Sequence, residues 1–345
     1  MKIAPLHKVF QTKKNVESVI VHTGQHYERK MSGVFFEDLK LPEPKYFLEI
    51  KKGSLIQRLS NIMIKLESII EAEKPDLMVV VGDVTSTLGG ALTANKMNIP
   101  LAHIEAGLRS FDSTMPEETN RIITDRLSNF LFVTEKSGIE NLKNEGIDEN
   151  KIHFVGNLMI DSLSENLKKA DKIELKIDFD EYVVITMHRP ANVDNFERLN
   201  RIIDIIEMVT RYIPIVFPIH PRTKNNLEKF NLTGRVSKIQ NLKIIEPQGY
   251  LYFLKLMNEA KGVITDSGGI QEETTFLNIP CLTLRNSTER PSTVELGTNT
   301  LIPNLNLNEI ERNLSKILNG EYKTGSIPPL WDGKSATRVA DILLN

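Results

Sequence analysis

Short apolar runs alternate with amphipathic stretches of helical length along most of the chain. Runs rich in Val, Ile and Leu predict strands over residues 19–23, 77–82, 100–105, 130–134 and 152–155. They lack the polar alternation of a half-exposed strand, as expected of strands covered on both faces. Between them, 55–73 and 117–129 space their apolar residues for helices. The alternation pauses in a helix over 158–167 and a polar stretch from 168 to 181. It resumes with strands near 182–187, 214–219, 242–245, 262–265 and 280–284, and a last helix over 337–344 follows a Gly/Pro-rich stretch at 325–333. Strand and helix in alternation imply parallel sheets wound on both sides. The expected fold class is α/β, with two Rossmann-like doubly wound parallel-sheet domains facing across a cleft. They span 1–165 and 166–328, with the helix of 329–345 packing back on the first.

In such sheets the loops at the carboxyl ends of the strands carry the site. Those ends hold Thr23-Gly24-Gln25-His26, Gly82-Asp83, Glu105-Ala106-Gly107, His188-Arg189, His220-Pro221-Arg222 and Asp266-Ser267-Gly268-Gly269. Nearly every one is ionisable or rich in glycine. Composition adds exclusions. Hydrophobic residues are 40% of the 345 and charged residues 26%, the mix of a soluble globular enzyme. A formal net charge of −2 offers no global field to nucleic acid or an anionic membrane. The one cysteine, Cys281, excludes an internal disulfide. No apolar run approaches the roughly 18 residues of a membrane span. Polar residues interrupt the first twenty positions, where a signal peptide would be apolar. The expected location is the cytoplasm, with neither nucleic acid nor membrane as partner.

Three groups of residues carry candidate chemistry. The stretch Thr265-Asp266-Ser267-Gly268-Gly269-Ile270-Gln271-Glu272-Glu273 ends a strand and opens a helix. Small residues there let backbone N–H groups approach a phosphate, and a helix N-terminus favours its charge. Glu273, a turn into the helix, comes within reach of ribose hydroxyls. The plainer alternative is a tight turn capped by Ser267. The second group is acidic: Asp83 and Glu105 end strands and Glu117 starts a helix. Three converging carboxylates raise one another's pKa values, which lets an acid and a base coexist at neutral pH. Strand-end turns are the plain alternative for the first two, and Pro116-Glu117-Glu118 reads equally as helix-start chemistry. The third is His188 and His220, beside Arg189 and Arg222, a pattern that points to anion binding or proton transfer. No tight His/Cys/Asp spacing suggests a metal. Gly82-Asp83-Val84-Thr85 lacks the G-x-G-x-x-G order and no G-x-x-x-x-G-K-[ST] occurs, which argues against NAD and ATP.

Taken in order, several stretches resemble the non-hydrolysing UDP-N-acetylglucosamine 2-epimerases. They are Thr23-Gly24-Gln25-His26, Gly82-Asp83, His103-Ile104-Glu105-Ala106-Gly107-Leu108-Arg109, Pro116-Glu117-Glu118-Thr119-Asn120-Arg121, Val155-Gly156-Asn157, His188-Arg189, the run from Thr265 to Glu273, and Thr288-Glu289-Arg290-Pro291. The resemblance implies a GT-B-like pair of domains, a homodimer, a UDP-sugar substrate and no cofactor. It implies interconversion of UDP-N-acetylglucosamine and UDP-N-acetylmannosamine by elimination of UDP to 2-acetamidoglucal and re-addition. Carried onto this chain, it makes Asp83, Glu105, Glu117, His188 and Lys2 catalytic. It places Ser267, Gly268, Gly269 and Glu273 in the UDP site, with His220 and Arg189 near the phosphates. Gln25 and His26 match part of a regulatory sugar-nucleotide site; the arginine expected with them falls near Asn61, with Arg58 about a turn away.

The chain also departs from the pattern. Family members begin with an apolar strand and a Gly-Thr-Arg-Pro-Glu loop, and Met1-Lys2-Ile3-Ala4-Pro5-Leu6 starts beyond both. Met1 is therefore expected to be an internal methionine of a longer chain. Four rival readings stand beside the epimerase. They are the same chemistry on another sugar nucleotide, such as UDP-2,3-diacetamido-glucuronic acid, a hydrolysing epimerase, a GT-B glycosyltransferase, and an inactive truncated UDP-sugar-binding protein.

Overall fold

The computed structural model describes residues 1–24, 36, 38, 39, 41–51 and 53–344. Its contacts divide the chain into two units, Met1–Ser162 with Pro329–Asn345, and Leu163–Pro328. In Leu163–Pro328 the apolar runs become β7 (Val183–Thr186), β8 (Ile215–Pro218), β9 (Leu242–Ile245), β10 (Gly262–Thr265) and β11 (Cys281–Thr283). A short edge strand, β12 (Asn299–Leu301), joins them without having been predicted, because its three residues carry two polar side chains. All pair in parallel in the order β12-β11-β10-β7-β8-β9. The chain leaves β7 to one side through β8 and β9, then returns to the other side of β7 through β10. Val183, Ile185, Ile215, Phe217, Ile264 and Leu282 are buried in one core, which explains runs without polar alternation. The amphipathic helices Phe196–Val209 and Leu307–Leu318 cover the sheet, burying Ile202, Ile206, Ile310 and Leu314 among others. Asn195 starts the first of them by accepting the Arg198 N–H at 3.0 Å.

In the other unit β3 (Met78–Val81), β4 (Leu101–Ala106), β5 (Phe130–Val133) and β6 (Ile152–Phe154) form a parallel sheet in chain order. β1 (Val21–His22) pairs with β2 (Tyr46–Phe47) in a ladder of its own. Among the described residues, the parallel strands of this unit therefore form two ladders. Between them lies a slot of about 850 Å³ lined by Leu6, Phe10, Val19, Val21, Met78 and Val80 among other residues. The helix Ile3–Gln11 packs Leu6 and Phe10 with Val339 and Ala340 of the helix Ser335–Leu344. Trp331, just ahead of that last helix, is buried and donates from Nε1 to the Thr134 carbonyl at 3.0 Å. Gly156 permits this return of the chain, since a Cβ there would come within 2.1 Å of the Leu330 carbonyl oxygen. Among the described residues, no helix is long and apolar enough to cross a membrane.

Candidate functional site

β3 and β4 are neighbours with Val81 level with Ile104, so Gly82-Asp83 and Glu105 emerge at one sheet edge. The register between β4 and β5 shifts between Ile104 and Ala106. Glu105, at that irregularity, has a left-handed backbone (φ 73°). For a residue with a Cβ this costs on the order of 1 kcal/mol or more, and a bulge re-aims the side chain it carries. Glu105 is 4% exposed, and its carboxylate forms an ion pair with Lys2. Gly82, also left-handed (φ 71°), passes so close that a Cβ would lie 3.3 Å from Glu105 Oε2.

Asp83 pairs with Arg121, and its carbonyl accepts from Asn120 Nδ2 at 2.8 Å. Both partners come from the helix Pro116–Leu127. The acidic group is thus not a set of mutually repelling carboxylates, because Asp83 and Glu105 each face a cation. Glu117 lies half-buried in the first turn of the same helix, and among the described residues no hydrogen bond or ion pair holds it. Its neighbour Glu118 carries the structural role instead. Buried, it accepts the N–H groups of Ser110 (2.9 Å) and Phe111 (3.1 Å) and pairs with Arg121 Nη1 (3.2 Å). From sequence Glu118 reads only as helix-start chemistry; its three-residue spacing to Arg121 was the signal for this pairing. Gln25 and His26 lie outside the described residues, while Arg58 and Asn61 both sit on the helix Leu55–Glu73.

In Leu163–Pro328 the sheet order reverses between β7 and β10, and the residues following these two strands meet there. Asp266, after β10, is fully buried. Its carboxylate accepts the backbone N–H of His188 (3.1 Å) and of Arg189 (3.0 Å), and the Asn192 amide (3.2 Å). His188 Nδ1 lies 3.0 Å away. Burial opposes the charge, but the His188 ring and these donors outweigh it and hold the Asp266 carboxyl below its ordinary value. The His188 ring is therefore oriented by Asp266, and its centroid is 5.5 Å from that of His220. His220 starts the helix Pro221–Lys229, where its Nδ1 accepts the Arg222 N–H at 3.1 Å. That bond places the ring proton on Nε2. Arg222 itself is committed to Asp194 through two bonds of 2.7 and 2.6 Å, so it is not the anion-facing cation its position beside His220 suggested.

Ser267 opens the helix Gly268–Leu277, yet its side chain makes no capping hydrogen bond, so the plain reading as a cap does not hold. Gly268 leaves room for the Arg290 guanidinium, since a Cβ there would lie 2.7 Å from Arg290 Nη1 and displace it. Arg290 Nη1 and Arg285 Nη2 reach Glu289 at 2.9 and 2.8 Å, and Arg189 Nη2 lies at 3.4 Å. Burial notwithstanding, these cations hold the Glu289 carboxyl well below its ordinary range. Arg290 Nε also takes Glu272 at 2.7 Å. Three arginines thus gather at a helix N-terminus, a setting for a phosphate, with Glu272, Glu289 and Asp266 as their counter-charges. Glu273 has no such partner. Burial pushes its carboxyl up to about 8, although the Tyr250 hydroxyl donates to it at 3.1 Å. A pocket of about 170 Å³ opens at these strand ends, lined by His188, His220, Gln248, Phe253, Ser267 and Ile270 among others. Gly269 lies next to it in the first turn. Among the described residues, no group of three or more His, Cys, Asp or Glu could hold a metal ion.

The chain as a whole is similar to known proteins. The sequence model of the family described as UDP-N-acetylglucosamine 2-epimerase matches residues 8–344. The UDP-N-acetylglucosamine 2-epimerase of Methanocaldococcus jannaschii is 44% identical over 353 residues, covering 99% of this chain and 95% of that one. A crystal structure of a Methanocaldococcus jannaschii UDP-GlcNAc 2-epimerase, in complex with UDP-GlcNAc and UDP, matches with a TM-score of 0.93, again over 99% and 95% of the two chains. The Pseudomonas aeruginosa UDP-2,3-diacetamido-2,3-dideoxy-D-glucuronate 2-epimerase is 40% identical over 305 residues, 88% of this chain and 84% of that one. With matches of this extent across both units, the chain belongs to the UDP-N-acetylglucosamine 2-epimerase family, isomerases of the two-domain α/β type.

Proposed function

We propose that the chain is a non-hydrolysing UDP-N-acetylglucosamine 2-epimerase that interconverts UDP-N-acetylglucosamine and UDP-N-acetylmannosamine. The C2–H of the sugar is not next to a carbonyl, so direct removal of its proton is very hard. Elimination avoids this. UDP departs from C1 with the electron pair of the C1–O bond, positive charge grows on the ring, and a carboxylate takes the C2 proton. The intermediates are 2-acetamidoglucal and UDP. A proton delivered to the opposite face of C2, and re-addition of UDP at C1, complete the inversion with no redox cofactor. The observation that carries this reading is Glu105, a buried carboxylate aimed by a left-handed backbone, beside Lys2 and on the sheet edge it shares with Asp83. Asp83, Glu105 and Glu117 stabilise the cationic ring and move the C2 proton, with Lys2 and His188 as further catalytic groups. Ser267, Gly268 and Gly269, with Arg189 and His220, stabilise the departing diphosphate, and Glu273 takes the ribose hydroxyls. The reading includes a homodimer, checked by mass in solution, and a cytoplasmic location, which fits the single free cysteine.

Incubation with UDP-N-acetylglucosamine in D2O, followed at C2 by NMR, tests it. Deuterium should enter C2 as UDP-N-acetylmannosamine forms; an unexchanged C2 would refute the reading. Glu105→Gln and Asp83→Asn should each lower turnover by about 10²-fold or more, the scale of acid–base contributions. The relative from Pseudomonas aeruginosa supports a second reading, the same chemistry on a diacetamido-glucuronate nucleotide. Turnover of each pure sugar nucleotide separates the two.

A further inference from the structure

His103 lies in β4 with no solvent exposure. Its Nε2 is 2.8 Å from the Gly82 carbonyl oxygen and its Nδ1 is 2.6 Å from Asp125 Oδ1. A carbonyl oxygen only accepts. Asp125 is equally buried, and its second oxygen accepts the Gly107 N–H (3.2 Å) and Arg109 Nη2 (2.7 Å). Burial works against this carboxylate, but His103 and Arg109 together hold it below its ordinary range. Asp125 is thus an acceptor on both oxygens, and His103 donates from both ring nitrogens. Arg109 is closed off by Glu145 through bonds of 2.7 and 2.8 Å. Four charged groups, two of each sign, form one connected chain behind the sheet edge.

The two backbone points gripped by His103 and Asp125, the Gly82 carbonyl and the Gly107 N–H, each lie within two residues of a candidate carboxylate. Gly82 precedes Asp83, and its N–H donates to the Ile104 carbonyl at 3.0 Å. His103 and Gly107 stand two residues before and two after Glu105, on either side of the register shift. Gly107 is itself left-handed (φ 78°), and a Cβ there would lie 2.4 Å from the Gly138 carbonyl oxygen, so the bulge has little freedom to relax. Buried ion pairs are a poor route to stability alone, because apolar side chains of similar volume usually serve as well or better. A positional role explains them.

We propose that the buried His103–Asp125 pair positions Glu105 and Asp83 for proton transfer, by fixing the Gly82 carbonyl against the Glu105 bulge; this rests on the epimerase reading above. Neither residue touches substrate, so both are positioning residues. His103→Leu should lower kcat by about 10²-fold while UDP affinity, assigned to residues of the other unit, stays unchanged by calorimetry. His103→Gln, whose amide can still donate to Gly82, should recover roughly tenfold of that loss, the scale of one hydrogen bond. Asp125→Asn should fall between them. A role in stability alone predicts lower melting temperatures with wild-type kcat in the folded fraction, and that result would overturn the proposal. Should His103→Leu not fold, the milder His103→Gln and Asp125→Asn decide alone: a lowered kcat at unchanged UDP affinity in their folded fraction supports the proposal, and wild-type kcat there refutes it. Wild-type turnover tests the functional reading, whereas the ratio of variant to wild type tests this one. A wild type inactive on every sugar nucleotide overturns both.

Discussion

In Leu163–Pro328 one six-stranded parallel sheet carries a continuous core, whereas among the described residues of the other unit the parallel strands form two ladders with a slot of about 850 Å³ between them. The candidate sites differ in the same way. His188, Asp266 and Ser267 sit where the order of a complete sheet reverses, so strand pairing alone brings them together. Glu105 and Asp83 depend on a bulge, Lys2, Arg121 and the buried His103–Asp125 pair. A complete sheet positions its loops through the ladder; an interrupted one leaves more of that work to charged side chains. The slot also bears on stability. Sealed and dry, a cavity of that size would cost on the order of 20 kcal/mol at about 24 cal/mol per Å³, beyond the roughly 5–15 kcal/mol margin of a folded domain. The slot is therefore open to water rather than sealed.

Three changes sharpen the contrast. The largest effect is expected in the complete sheet. Ser267→Trp places bulk at the helix start and should abolish calorimetric UDP binding while circular dichroism stays native; unchanged affinity would mean the nucleotide is misplaced. The next concerns the slot. The helix Ile3–Gln11 starts at the carboxyl edge of the sheet, where Lys2 meets Glu105, so a strand ahead of it would run parallel to its neighbours. An apolar strand of about five residues added before Met1, matching the length of short strands, should raise the melting of the first unit. Each kcal/mol gained is worth roughly 2–4 °C at this size. A calorimetric trace in which only the other unit moves, or neither, rejects this.

The smallest effect concerns Glu273. Its folded pKa of about 8 lies above the ordinary 4.5. Its contribution to stability is therefore complete below pH 4.5 and is lost as pH rises through about 8. Urea midpoints of the wild type should fall between pH 5 and pH 8 by more than those of Glu273→Gln. Equal slopes would show that the buried carboxyl does not carry the effect.

Much of this was legible in the chain, for identifiable reasons. The runs that became β7 to β11 were continuous and apolar, and a doubly covered strand advertises itself that way. The helix Leu55–Glu73 was legible from the spacing of its apolar residues, and the structure adds a start in which Ser54 and Gln57 bond reciprocally at 3.2 and 2.9 Å. β2, with two residues, and β12, with three, were too short to leave a pattern. The candidate site was legible as residue types at strand ends, but not as partners. Arg222 looked available and is held by Asp194; Glu118 read as helix-start chemistry and clamps a loop; His103 read as one letter in a motif.

Sequence alone determined the class of fold, the strand ends that carry chemistry and the family, because periodicity and ordered motifs are local properties of the chain. Tertiary structure decided which carboxylate meets which cation, that Glu105 turns left-handed at a bulge, that Asp266 orients His188, and that the strands of one unit part around a slot. Those outcomes depend on contacts between residues tens to a hundred positions apart, such as Lys2 with Glu105, and no window of sequence contains both partners.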